Sequence, residues 1–476
     1  MTTRGRAALR IVATLLLVTA ALVARTRPRP FAAEPGLPAR SVSSTPFLSV
    51  RRVPQLLVDG AGAQRLRADL AALLAPLGGG ACAAADNQGG EIARYQANRS
   101  LAPASTEKLL TGAAALSQLG PGHRFKTRAV TSASMSGGVL TGDVYLVGGG
   151  DPVLSTPGYV AYLHGQPRTR TDPVTALSDL AAGIVAAGVT RVEGAILGDD
   201  SRHDQLRYLP GWKPSYRTEG EVGPLGALEV NDGFVSWSGR VGAEDPAVHA
   251  AGQLVALLDQ SGVGVSGGSG RGTAPIGARE IASVSSPPLS EIVAGMLTSS
   301  DNLTAEVLTR ELGVATAGRG STEAGTAAIT SDLRRLAVPV DGVSLTDGSG
   351  LAPSDRATCI ALLRALRLGD RPRLAALREG LADAGESGTL ALRFGGDPLR
   401  GRLHAKTGQI AGVAGLAGVI DPPAASDSGA GGTLFFAVIV NGDFTTGEGQ
   451  SYQEQVAHLV AEYPNAPAAR DLVPRP

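Results

Sequence analysis

Little in this sequence is available for metal or redox chemistry. It has two cysteines, Cys82 and Cys359, without CxxC spacing, and six histidines without HExxH or HxH spacing. That pattern offers neither a thiol redox motif nor a zinc site, so no metal and no cofactor are expected. An excess of one charge is also missing: 43 basic residues balance 43 acidic ones. Zero net charge argues against nucleic acid as a main partner, because phosphate binding needs a basic surface. Gly148-Gly149-Gly150 lacks the following lysine of a P-loop, and no 20–50-residue repeat is visible. Lysine itself is scarce. Only Lys108, Lys126, Lys213 and Lys406 stand among the 43 basic residues, so each merits individual inspection.

A run of ~20 apolar residues, enough to span a bilayer, is absent. The run Ile11–Ala24 is shorter and follows Arg4, Arg6 and Arg10. This is the form of an export signal. Residues 1–25 therefore read as a signal peptide or signal anchor, the alternatives staying open because no A-x-A cleavage site is clear before Glu34. Membrane contact is expected only through this segment, if it is uncleaved. Residues 26–48, rich in Pro, Ala, Ser and Arg, read as a linker. In an exported protein Cys82 and Cys359 either pair or remain buried thiols.

Hydrophobic periodicity predicts a helix over Ala63–Leu74, a hairpin of Ala81–Asp86 and Glu91–Gln96, and a helix from about Ser105 to Leu119. Residues 126–275 have a different texture, with short β runs, many glycines, and helices near Pro173–Ala187 and Ala247–Leu258. Helices follow over Ser290–Leu297, Leu303–Leu312, Glu323–Leu336, Arg356–Leu368 and Pro372–Ala382. Strands are expected at Arg402–Lys406, Val413–Ile420 and Leu434–Val440, then a helix over Tyr452–Tyr463. Antiparallel strands with a helical cluster and a terminal helix suggest an α+β fold.

Three short motifs carry chemistry. Ser105-Thr106-Glu107-Lys108 begins a helix, where positions i and i+3 share a face. A serine hydroxyl needs an adjacent base to become a nucleophile. A lysine with a lowered pKa can serve; an arginine cannot. Ser300-Asp301-Asn302 offers a hydroxyl and a carboxamide between two helices. Lys406-Thr407-Gly408, expected to end a strand, suits a substrate carboxylate, with Gly408 admitting a substrate backbone. Chance gives about 0.3 S-x-x-K, 0.4 S-x-N and 0.04 K-T-G matches in such a chain, so the three together and in this order are informative where one alone is not.

These motifs resemble those of penicillin-binding proteins and serine β-lactamases. The long stretch between Ser105 and Ser300 resembles the class C low-molecular-mass penicillin-binding proteins, the D-alanyl-D-alanine carboxypeptidase/endopeptidase family. So do Gly150-Asp151-Pro152, the stretch from Ser299 to Glu306, and the stretch from Asp347 to Leu351. The resemblance implies a transpeptidase-like α+β fold. Its penicillin-binding catalytic domain would take residues 49–125 and 276–476, around an inserted α+β region at 126–275. It also implies that Ser105 attacks the D-alanyl-D-alanine carbonyl, with Lys108 as base and Ser300 and Asn302 completing the proton network. Lys406 and Thr407 would hold the terminal carboxylate, and the backbone N–H groups of Ser105 and Gln409 would form the oxyanion hole. Peptidoglycan stem peptides would be substrates and β-lactams inhibitors. The implied alternatives are an endopeptidase cutting cross-links, a non-catalytic wall-binding protein on this fold, and a β-lactamase.

Some residues read as structural. Asp301 suits an N-cap, and His404, on the same strand face as Lys406, is expected to be structural. Asp347-Gly348-Ser349-Gly350 reads as a turn. Gly264-Val265-Ser266-Gly267-Gly268 matches a nucleophile elbow but lacks the helix that such an elbow needs.

Overall fold

The computed structural model describes residues 54–423 and 432–464; the expected signal and linker, and residues 49–53 and 465–476, lie outside them. The chain begins with helix α1 (Pro54–Leu74) and the hairpin β1 (Ala81–Asn87) and β2 (Gly90–Tyr95). A 3-10 turn, Ala104–Glu107, leads into α2 (Lys108–Gln118). Next come β3 (Lys126–Thr131), β4 (Val144–Val147), α3 (Leu177–Ala186), β5 (Ile196–Asp199), α4 (Pro246–Gln260), β6 (Ser269–Arg271) and β7 (Arg279–Ser285). Four helices follow: α5 (Leu289–Ser299), α6 (Asn302–Ala317), α7 (Thr322–Arg335) and α8 (Cys359–Arg367). The chain closes with β8 (Ala382–Asp383), β9 (Leu403–Ile410), β10 (Val413–Ile420), β11 (Leu434–Asn441) and α9 (Thr446–Ala461).

One sheet has the order β8-β9-β10-β11-β1-β2, with every neighbouring pair antiparallel. Successive side chains on a strand face opposite sides, and here both sides are covered. On β11, Leu434, Phe436, Val438 and Val440 join a core with Leu66, Leu70 and Leu74 of α1 and Val456 and Val460 of α9. Phe435, Ala437 and Ile439 face the other core, built from α2, α5, α6, α7 and α8. Burial on both faces explains why β11 is an unbroken apolar run. A second sheet has the order β6-β5-β4-β3-β7. Its β3 and β7 pair side by side, Lys126 opposite Ser285.

Helix α2 runs through the middle of the core that Phe435, Ala437 and Ile439 face, with Lys108 to Leu116 buried. Its small residues let neighbours close in: a Cβ on Gly112 would lie 3.0 Å from Val293 and 3.2 Å from Leu377. Side-chain caps set several helix starts. Thr445 and Glu448 form a capping box that starts α9 at Thr446, well before the expected Tyr452. Ser321 and Thr358 cap α7 and α8. The expected helix Pro372–Ala382 is broken instead into a 3-10 turn, a four-residue helix Ala376–Glu379 and β8. Gly380 ends that helix where a Cβ would lie 2.5 Å from Ala294 Cα.

Cys82 of β1 and Cys359 of α8 form a disulfide across 277 residues, which resolves the alternative between a bridge and two thiols. Removing such a link costs about 2–5 kcal/mol. The double variant Cys82→Ser/Cys359→Ser should unfold several degrees lower. Reductant should lower the wild-type melting temperature and leave that of the variant unchanged.

Candidate active site

Ser105 lies not in α2 itself but in the 3-10 turn before it. In a 3-10 turn residues i and i+3 eclipse, which stacks Lys108 over Ser105. Of the four residues Ser105 to Lys108, only Ser105 reaches solvent. Ala104, just before it, has φ 46°, a left-handed conformation that is costly for a residue with a side chain. The surroundings enforce it. Gly350, at φ +80°, packs so closely that a Cβ would lie 2.1 Å from Ala104 O.

The Lys108 ammonium nitrogen is fully buried and lies 2.8 Å from Ser105 Oγ, 2.7 Å from Asn302 Oδ1 and 2.7 Å from Ser349 O. Burial pushes its pKa down to about 8, against the opposing pull of Asp301, Asp347, Glu306 and Glu107. A useful fraction of the amine is therefore neutral near physiological pH. Asn302 spans two regions of the chain, since its Nδ2 donates to Glu221 O at 2.7 Å.

Ser300 ends α5 with φ 62°, ψ 40°, a left-handed residue directly before the cap of the next helix. Asp301 accepts from Leu303 N and Thr304 N and caps α6, as its position suggested. Ser300 and Asn302 line a cleft of about 250 Å³ with Tyr159, Asp172 and Trp237. Burial raises Asp172 to about 8.

Lys406-Thr407-Gly408 sits inside β9 rather than at its end. The strand continues to Ile410 because Gly408, Gln409 and Ile410 pair with Gly415, Ala414 and Val413. Lys406 is buried, and its Nζ donates to Thr407 O at 2.7 Å. Burial, then the positive charges of Lys108 and Arg168, hold its pKa well below the usual lysine range. Thr407 donates to Thr389 Oγ1 at 2.9 Å. Gly408 has a reason beyond substrate access: a Cβ there would lie 2.7 Å from Pro103 O and 3.0 Å from Thr106 N. Across the ladder, a Cβ on Gly415 would lie 3.0 Å from Thr106 Cγ2. Together the two glycines form the notch in the sheet that receives the Ser105 turn. Gly408→Ala should displace this turn and lower the rate of acylation about 10–100-fold, measured by stopped-flow with a chromogenic β-lactam.

The remaining candidates separate cleanly. His404 is held between Asp383 (2.5 Å) and Asp421 (3.3 Å), in keeping with a structural role. Ser266 of the elbow-like sequence sits between short strands, and no helix follows it. The Asp347 turn is buried. Asp347 accepts from Trp212 Nε1 and from the backbone N–H of Ser349, Gly350 and Ala352, which fixes the loop that offers Ser349 O to Lys108. Sequence reasoning missed Ser349 O and Glu221 O, because a backbone acceptor leaves no trace in residue type.

A sheet covered by helices on both faces, with a Ser–Lys pair facing a Ser-x-Asn loop and a Lys-Thr-Gly strand, defines the penicillin-binding and serine β-lactamase-like class. Penicillin-binding protein 4 of Haemophilus influenzae shares the fold with a TM-score of 0.67 at 22% identity, over 82% of this chain and 99% of that one. The profile of the D-Ala-D-Ala carboxypeptidase 3 (S13) family matches residues 67–241 and 237–463, and the chain belongs to that family. A carboxypeptidase of Mycobacterium tuberculosis is 34% identical over 352 residues, 72% of this chain and 71% of the relative. A D-alanyl-D-alanine carboxypeptidase of Actinomadura sp. is 29% identical over 453 residues, 79% of each chain.

Proposed function

We propose that this chain removes the terminal D-alanine of peptidoglycan stem peptides through an acyl-enzyme on Ser105. One observation carries the reading: a buried Lys108 amine, its pKa pushed down to about 8, lies 2.8 Å from the half-exposed Ser105 hydroxyl. Neutral Lys108 takes the Ser105 proton as Oγ attacks the carbonyl between the two D-alanines. Ser300, beside Asn302, passes that proton to the departing amine, and water then hydrolyses the ester. The backbone N–H groups of Ser105 and Gln409 hold the oxyanion, a contribution of ~3–4 kcal/mol per donor. The substrate carboxylate meets Lys406 and Thr407 and supplies the counter-charge that buried Lys406 lacks.

β-Lactams act as mimics of the dipeptide and acylate Ser105. Residues 49–125 and 276–476 serve as the catalytic unit and 126–275 as an insertion. The pairing of β3 with β7 is consistent with an insertion whose two ends lie side by side, with β7 (Arg279–Ser285), just past residue 275, as the edge strand of its sheet. The chain is exported, and Ile11–Ala24 acts as its signal or anchor. No helix among the described residues is long and apolar enough to cross a membrane.

Purified enzyme should release D-alanine from a stem pentapeptide faster than it cleaves a D-alanyl–diaminopimelate cross-linked dimer, followed by chromatography. Faster cleavage of the dimer would make it an endopeptidase. Cleavage of neither by folded protein would favour a wall-binding role.

A further inference from the structure

Beneath Lys108 four carboxyl groups gather where water does not reach. Glu107 comes from the serine turn, Glu306 from α6, and Asp347 and Asp355 from the loop between α7 and α8; all four are at most 0% exposed. One oxygen of each of Glu107, Asp347 and Asp355 lies within 4.8 Å of the others. They are not equivalent. Asp347 receives four N–H donors and is the natural seat of a negative charge. Glu306 Oε1 receives two, from Gly348 and Ser349, and Asp355 Oδ1 receives Thr346 N–H. Glu107 receives none: both its oxygens are buried without a partner, as are Asp355 Oδ2 and Glu306 Oε2.

A buried carboxylate with no donor and negative neighbours is far too costly to persist. The charged groups facing the cluster are Lys108 from α2 and Arg310 from α6, and Asp301 at the α6 cap acts on Lys108. Lys108 spends its hydrogen bonds on Ser105, Asn302 and Ser349 O. We propose that Glu107 is held as a neutral carboxylic acid, donating its proton to the unpaired Oδ2 of Asp355. Glu107 thereby acts as a positioning residue that keeps added negative charge away from the Lys108 amine. Desolvation and the three neighbouring carboxyls do raise Glu107 well above the ordinary range, and Asp355 is raised to about 9. The idea rests on Lys108 being the base for Ser105, but its first test does not.

That test is infrared spectroscopy of the full-length protein. At pH 7.5 the wild type should show a protonated-carboxyl C=O band that Glu107→Gln lacks. The absence of any such band from folded wild-type protein overturns the proposal, whatever the enzyme's activity. The second test is the pH dependence of penicillin acylation. If Glu107 is neutral, Glu107→Gln replaces one uncharged donor with another, and the Lys108 midpoint stays in place. If Glu107 is ionised, the substitution removes a negative charge and the midpoint falls by about 1 unit or more, which overturns the proposal. Glu107→Met, which has no donor, leaves Asp355 Oδ2 unpaired and should move the midpoint, while Glu107→Gln keeps it in place. Equal profiles for Met and Gln would remove the positioning role.

Discussion

Ser105→Ala is expected to lower D-alanine release by a factor on the order of 10⁵–10⁶, the usual loss when a serine nucleophile is removed. It should also abolish covalent labelling by penicillin. The fold should survive, because the Ser105 side chain is half-exposed and its loss leaves Lys108 bonded to Asn302 Oδ1 and Ser349 O. A melting temperature close to wild type, together with lost labelling, separates chemistry from stability. Labelling retained by the alanine variant would mean that another residue is the nucleophile.

Lys108→Arg should cost about 10³–10⁴ in kcat/KM. Charge is conserved in this exchange, so the loss would measure the proton-accepting role: a guanidinium stays protonated at every relevant pH. In the wild type the active form is the neutral amine. With the folded pKa lowered to about 8, kcat/KM should be flat above that pH and fall about tenfold per unit below it. The arginine variant should lose this limb. A wild-type profile flat from pH 6 to 9 would exclude Lys108 as the base that limits acylation.

The meeting of the motif residues was more legible in the sequence than its support. That Ser105 and Lys108 share a face and that Asp301 caps a helix could be read from residue type and spacing, because helix geometry makes short-range spacing meaningful. In a chain with only four lysines, two standing in chemical motifs were conspicuous. The position of the K-T-G motif within β9 was not legible. Gly408 reads as a strand end, yet here it is required by the close approach of Pro103 and Thr106, a contact across about 300 residues. The pairing of Cys82 with Cys359 likewise needed a distance that sequence does not carry.

The start of α9, set by the Thr445 capping box, precedes the apolar periodicity and was placed too late. The helix expected over Pro372–Ala382 failed for the opposite reason: its apolar pattern is real, but Gly380 must pass against α5. Glu107 was hidden by its setting. A glutamate between Thr106 and Lys108 looks like a solvated charge until the fold turns it inward against Asp347 and Asp355.

The most direct test of the central claim is to label the purified wild-type protein with penicillin and locate the adduct by peptide mass mapping. The account predicts one long-lived acyl group on the peptide containing Ser105. An adduct on any other residue, or none on folded protein, would contradict it.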